Sequence, residues 1–492
     1  IYFVHDGYPS MFVGIDIGTQ SLKVVVVDSA MEVMGEASTP YQPDFPQPGW
    51  AEQDPVLWEQ ALAPTIASAL DAAGVAPIDV AALGVGGQLD GCIAVDGNNK
   101  PLYPCLIWMD RRAEQEIEGL PVEQIRDRTG VITDASHPAA KIRWLQHNLP
   151  NPEHIHLFHF PVSYLVHKLT GRAVMDHGLA STTMLYSLDN RDLDPWLLDL
   201  FSIDRGHLPN IADAESCAGS LSREGAALCG LPTGIPVAVG TGDDFTTPLG
   251  AGIVQPGKMT CVLGTAEVVG ALHSHPVIDK TGLVETHAYA GESFFIENPG
   301  WLSGGALTWL RNLLRLDDFV ELDSLAEIIA PGCDQLTFLP ALNGTMAPEW
   351  VASARGCFYG LTPAHSSGHM ARATLEGTAF AMRDVMERLN SLGVDVTSIV
   401  ALGGGAKSRL WTQIRADMTG LPVEIPVLTD TAPMGGAILA AVAAGVYPDV
   451  PSAVTNVGSV ACVIEPDPAC KAQYDDAYAR YHLLFESLRP LY

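Results

Sequence analysis

One short unit occurs twice in this chain, FVGIDIGTQSLKVVVVD at 12–28 and MTCVLGTAEVVGAL at 259–272. Each runs apolar, breaks at Gly-Thr and runs apolar again, the pattern of two strands paired in a hairpin. One such hairpin per half restricts the fold to two related lobes, each built on its own sheet. The length agrees, because 492 residues exceed one ordinary core and suggest two to four domains.

Between the hairpins, helix and strand signals alternate. Residues 54–73 place Leu57, Ala61, Leu62, Ile66, Ala69 and Leu70 at helical spacing, and the strand-like VAALGVGG (80–87) follows. The second half repeats the scheme: a helix through Leu375, Ala379, Met382, Met386 and Leu389, the strand SIVAL (398–402), then GGGAKS opening a helix through Leu410, Ile414 and Met418. The expected fold class is α/β with two sheets. The lobe boundary is expected just after residue 250, giving lobes at 11–250 and 251–492.

Charge narrows the partners. With 27 Lys and Arg against 57 Asp and Glu, the net charge is -30, which repels nucleic acid and anionic lipid. The 9 cysteines show no C-x-x-C spacing and read as reduced thiols of a cytoplasmic protein. TAPMGGAILAAVAAGVYP (431–448) is Ala- and Gly-rich with proline at both ends, which suits a packed interior helix better than a bilayer span. IYFVHDGYPS (1–10) lacks the basic and apolar regions of a signal peptide, and Met11 is expected as the natural start behind a remnant.

Six stretches carry chemistry. The hairpin tips can present backbone N–H groups to phosphate, and Asp16 beside the first tip suits a bridging divalent cation. Either tip alone also reads as an ordinary Gly-containing turn. ALGGGAKSRLW (401–411) ends a strand and starts a helix, where bare backbone lets adenine or ribose approach, or where a packing turn sits; it is not a Walker A loop. GVGGQLDG (84–91) and IWMDRR (107–112) offer Gln88, Asp90, Trp108, Asp110 and Arg112 as a polar and aromatic wall for a polyhydroxylated ligand, or as solvated loop residues. GTGDDFTTPLG (240–250) sets two acids behind glycines at a strand end. Phe245 replaces the third glycine of a dinucleotide fingerprint, and acids there would repel a pyrophosphate. The histidines of HIHLFHF (154–160) lack any ligand spacing, so a metal site there is not expected.

Taken in order, VGIDIGTQSLKVVVVD, PGWAEQDPVLW, GVGGQLDG, IWMDRR, GTGDDFTTPLGAGIV, CVLGTAEVV, GCFYGLTPAH, ATLEGTAFAMRD and ALGGGAKSRLW make the chain resemble the FGGY carbohydrate kinases, most closely their xylulokinase branch. The resemblance implies two ribonuclease-H-like lobes of the actin and hexokinase type around a central cleft, and phosphoryl transfer from ATP, with Mg²⁺, to a sugar hydroxyl. It implies Asp243 as catalytic base and Asp16 as the Mg²⁺-associated carboxylate, with Asp243 beside the metal. Gly18, Thr19, Gln20 and Lys23 fall at the first phosphate turn, Gly264, Thr265 and Gly304 at the second, and Gly403, Gly404, Gly405 and Ala406 at the adenosine turn. Gln88, Leu89, Asp90, Trp108, Asp110 and Asp244 fall at sugar positions, and Asp244 is also expected to orient its loop or cap a helix from Phe245 to Ile253.

Two departures bear on the acceptor. Leu89-Asp90 stands where the branch has Met-His, and Gly344-Thr345-Met346-Ala347-Pro348 has lost the charged pair of G-E-R-T-P. The Arg-Glu pair of glycerol kinases is absent too. The partners implied are a small sugar and ATP, with a homodimer possible. D-xylulose is the first acceptor expected, followed by ribulose, a polyol or a sugar acid such as gluconate. A nucleotide-gated protein of the actin or chaperone kind is the different-class alternative, disfavoured by an aspartate at the lobe junction.

Overall fold

The computed structural model describes residues 10–492; residues 1–9, where the expected remnant falls, lie outside the described residues. The first hairpin forms as its pattern requires. Strands β1 (Met11–Ile17) and β2 (Ser21–Val27) pair antiparallel from Phe12↔Val27 to Ile17↔Leu22. β3 (Val33–Pro40) continues the meander, and β4 (Val80–Gly87) lies parallel to β1 on its other side. Every residue of β1 is buried, which is why it reads as an unbroken apolar run. β5 (Cys217–Ser220), β6 (Pro236–Ala238) and β7 (Thr241–Gly242) complete the sheet in the order β5-β6-β4-β1-β2-β3, with β7 also on β4.

The second sheet repeats this plan. β8 (Lys258–Leu263) and β9 (Ala266–His273) form its hairpin, β10 (Glu285–Ala288) and β11 (Phe294–Leu302) extend it, and β12 (Ser398–Leu402), β13 (Val423–Pro426) and β14 (Val460–Ile464) follow. The order is β10-β11-β9-β8-β12-β13-β14. In both sheets an antiparallel meander of three joins two parallel strands and ends on an antiparallel one. The edge strand β10 and the short β7 lack counterparts, and β10 borders the first half.

The helices follow their sequence signals. α1 (Pro55–Ala73) starts at Asp54, whose carboxylate accepts the Val56 N–H at 3.0 Å, and stops at Gly74 with φ 67°. α2 (Pro138–Asn148) begins after His137, and α3 (Asp243–Gly250) follows β7 directly. α4 (Gly304–Leu314), α5 (Ser367–Ser391), α6 (Arg409–Thr419) and α7 (Ala432–Ala443) belong to the second half of the sequence.

The Ala- and Gly-rich run is an interior helix as expected, but it is α7 that covers the first sheet, packing on β1, β4 and α3. A Cβ on Gly14 would lie 1.9 Å from the Pro433 carbonyl, and one on Gly84 2.0 Å from that of Gly436. Only bare backbone permits that approach. The chain therefore returns across residue 250 to finish the packing of the first sheet.

No helix among the described residues is long and apolar enough to cross a membrane. His159 is a core residue: it hydrogen-bonds Ser163 Oγ at 3.1 Å and His167 Nδ1 at 2.9 Å, and burial pushes its imidazole down to about 3.

Candidate active site

The first hairpin tip brings Asp16 and Lys23 face to face as cross-strand partners. Lys23 Nζ also meets Asp430 at 2.6 Å, tying the tip to the loop before α7. Asp16 is 4% exposed, and its Oδ1 has no hydrogen-bond partner. Burial, then the charge of Asp243, pushes Asp16 up to about 7 against the pull of Lys23. Gly18 does less for an anion than expected, because its N–H closes the turn on Ser21 O at 3.0 Å. The turn is held from below: Thr19 O accepts from Gln53 Nε2 at 2.9 Å, and Thr19 Oγ1 accepts from Trp108 Nε1 at 3.0 Å.

Asp243 and Asp244 form the first turn of α3, each half-buried. Their carboxylates gain from the N-terminal end of the helix dipole. Gly242 is the N-cap, and no side chain caps this helix, so the expected cap by Asp244 is not made; the helix runs 243–250 instead of 245–253. Burial and the neighbouring Asp244 push Asp243 up to about 7, while burial and Asp90 raise Asp244. The glycines of GTGDD serve packing. Gly242 pairs with Gly87 in the sheet, and a Cβ on it would lie 1.9 Å from Leu89 Cδ2. Leu89 is thus a prop beneath the acid pair.

On the acceptor side, Gln88 is 1% exposed, donates from Nε2 to Gln53 Oε1 at 2.8 Å and leaves its own Oε1 unpartnered. Asp90 has φ 54°, and Lys141 Nζ holds its carbonyl at 2.6 Å. Trp108 is 43% exposed over the first tip, a wall position. Asp110 is different. It is wholly buried, accepts the Ala51 N–H at 2.7 Å and pairs with Arg112 at 2.7 Å, so it braces the wall and faces no open space. Arg112 in turn lies 3.7 Å from the Trp50 ring centroid and pairs with Glu52 at 2.7 Å.

The second half supplies the other turns. Gly264 N–H closes its tip on Ala266 O at 3.0 Å, and Gly304 N–H binds Gly264 O at 3.2 Å, seating the start of α4 against the tip. A Cβ at Gly304 would lie 2.3 Å from that oxygen. Of the glycine turn, Gly403 sits beside Leu263 at the end of β8, and Gly404 has open space around it. Gly405 is pressed on Trp411 and Ala406 is buried, so these two serve packing.

Several side chains had no signal in the sequence reading. Glu285 and His287 on β10 and Glu297 on β11 reach the Asp90–Asp244 side of the junction, with His137 between. His137 stands 3.6 Å from Asp90 Oδ2 and 3.4 Å from Glu285 Oε1; His287 stands 3.7 Å from Glu285 Oε2 and 3.4 Å from Glu297 Oε1. Burial opposes charge on His137, yet Glu285 and Asp90 hold it well above the usual histidine range. Gln53, inside a stretch that was visible, was likewise given no role.

Two sheets of one topology, with Lys23 of the first hairpin bound to Asp430, the Gly403 N–H of the glycine turn on the adjacent Thr429 O and a pair of acids alongside, form the arrangement of a two-lobed α/β phosphotransferase. Residues 11–250 match the N-terminal domain, and residues 259–444 the C-terminal domain, of the FGGY family of carbohydrate kinases. A glycerol kinase of Thermococcus onnurineus is 31% identical across 87% of this chain and 88% of its own. The xylulose kinase of Escherichia coli is 29% identical across 98% of this chain and 100% of its own. The crystal structure of xylulose kinase from Rhodospirillum rubrum matches with a TM-score of 0.90 at 29% identity, covering 98% of this chain and 99% of that one. The chain belongs to the FGGY family of carbohydrate kinases and is an ATP-dependent sugar kinase. Xylulose and glycerol kinases stand at nearly equal identity, so the acceptor has to be argued from the pocket.

Proposed function

We propose that the protein transfers the γ-phosphoryl of ATP to the terminal hydroxyl of a ketopentose, with D-xylulose yielding D-xylulose 5-phosphate as the first candidate. The observation that carries this reading is Asp243 at the first turn of α3, in charge contact with Asp16 and Lys23 of the first hairpin. Asp243 orients the acceptor hydroxyl and takes its proton as the new O–P bond forms and the bond to the β-phosphate oxygen breaks. Its raised affinity for a proton makes it a better acceptor than an ordinary aspartate.

The unpartnered Oδ1 of Asp16, in a site whose acids outnumber Lys23, fits Mg²⁺, with Asp16 and Asp243 as its protein carboxylates. Two carboxylates suffice for such a site, because Mg²⁺ commonly keeps waters and phosphate oxygens as its other ligands. Held there, Mg²⁺ would supply charge neutralisation at the phosphate oxygens. Trp108 walls the acceptor space, and Gln88 offers it a free acceptor atom. The Gln88-Leu89-Asp90 loop has no arginine for a glycerol-type clamp, which favours a longer polyol over glycerol.

ADP release, followed with D-xylulose, D- and L-ribulose, glycerol and pentitols, tests the reading. Turnover stimulated by a ketopentose above all others is the expected result. ATP hydrolysis indifferent to every acceptor would remove it.

A further inference from the structure

The acceptor side contains more buried polar capacity than the first half alone supplies. Glu297 is 1% exposed and its Oε2 has no partner; His287 is 2% exposed and its Nδ1 has none. Asp90 Oδ1 and Gln88 Oε1 are likewise buried and unpartnered. Buried acceptors left open in this way mark a place where donors are missing. These atoms belong to one neighbourhood. Burial, then the charges of Asp244, Glu285, Asp243 and Asp90, holds Glu297 well above the usual carboxylate range. The ring of Phe245, next in the chain to Asp244, lies 5.6 Å from that of His287 and 6.2 Å from that of Phe295.

The geometry is fixed from outside the pocket. The edge strand β10 is hydrogen-bonded to the first half: Thr286 N–H donates to Gly130 O at 3.0 Å, Ala288 N–H to Ser181 Oγ at 3.1 Å, and Ile132 N–H to Glu285 Oε1 at 2.9 Å. Glu285 is thereby occupied, and with His137 it forms the bridge from Asp90 to His287. Glu297 and His287 are left as the groups of the second half that can turn to a ligand.

Resting on the kinase reading, we infer that Glu297 and His287 form the far wall of the acceptor pocket and select a neutral polyhydroxylated acceptor over a sugar acid. Hydroxyl groups pair with the unpartnered oxygens of Glu297 and Asp90, while an acceptor bearing its own carboxylate meets four acids, Asp90, Asp244, Glu285 and Glu297, against His137, the Lys141 ammonium being already bound to the carbonyls of Asp90 and Ile107. A site built to bind hydroxyls also rejects an analogue that leaves its acceptors unpaired. The gluconate alternative falls under this rule.

The test has a kinetic arm and a binding arm. In the first, kcat/KM is compared for D-xylulose, D-ribulose, xylitol and gluconate with the intact enzyme and with Glu297→Gln and His287→Phe. We expect gluconate to lie ~10²-fold or more below the best neutral acceptor. Glu297→Gln should raise the KM of that acceptor ~10-fold or more and leave the KM of ATP unchanged. In the second arm, calorimetry measures xylitol and gluconate binding to Asp243→Asn and to the same protein carrying Glu297→Gln. Gluconate bound or turned over as well as the neutral polyols, or acceptor affinity indifferent to Glu297→Gln, overturns the inference. Xylitol binding that depends on Glu297, with no turnover of any acceptor, upholds it and overturns the kinase assignment for ketopentoses instead.

Discussion

At the residue scale, the two aspartates of GTGDDFTTPLG have separable effects. Asp243→Ala removes the proton acceptor and should lower kcat by ~10²–10⁴ while ATP still binds, which single-turnover kinetics and nucleotide titration check together. Asp244 acts on Asp243 through charge. With Asp243 pushed up to about 7, kcat/KM should climb as pH rises through 7 and level off once the carboxylate is ionised. Asp244→Asn removes the neighbouring charge, so the acid limb of that profile should move to lower pH; a limb that stays put denies the coupling. Asp243 and Asp16 were legible because each sits in a short local pattern at a strand end. Glu297 was not, since FFIENPGWL reads as an ordinary strand and its acid becomes unusual only when the two halves bury it beside Asp244.

At the scale of elements, the helix and strand periods were read within a residue or two wherever a cap or turn marked the end. α1 is the clearest case, with Asp54 and Gly74 at its ends; Asp54→Ala should cost about 1 kcal/mol in urea unfolding and leave turnover unchanged. α7 was legible as a buried helix but not as a cover for the first sheet, because a segment apolar on all sides carries no direction. Its docking depends on missing side chains. Gly84→Ala forces a methyl group to within 2.0 Å of a carbonyl, a backbone clash that costs ~3 kcal/mol or more and should reduce soluble yield and Tm. The misreading of Asp110 has the same origin: its loop position suggested exposure, while the Ala51 N–H that it accepts and the Trp50 ring that covers its neighbouring partner Arg112 come from distant residues.

For the whole molecule, the acid excess concentrated at the junction opposes folding at neutral pH. Asp16 binds its proton more tightly folded than unfolded, since its value rises from 3.8 to about 7. The stability it contributes is therefore full below about pH 4 and is lost as pH rises through 7. Asp16→Asn should raise Tm relative to the unmodified protein at pH 8, with the gain shrinking toward pH 5; an equal difference at both pH values would refute this assignment. The two-lobed plan itself was legible from the repeated hairpin. What the repeat could not convey was β10, an edge strand with no counterpart in the first sheet, which joins the halves and delivers Glu285 and His287 to the pocket.

The position of α7 also has a consequence for biosynthesis. On a ribosome adding about 5–20 residues per second, the first sheet emerges with one of its covering helices still unmade, and residue 443 follows residue 250 by roughly 10–40 s. During that interval the glycine-lined surface of β1 and β4 is open to other nascent chains. Chaperone demand should therefore peak before synthesis of Ala432–Ala443 and fall once that helix is released.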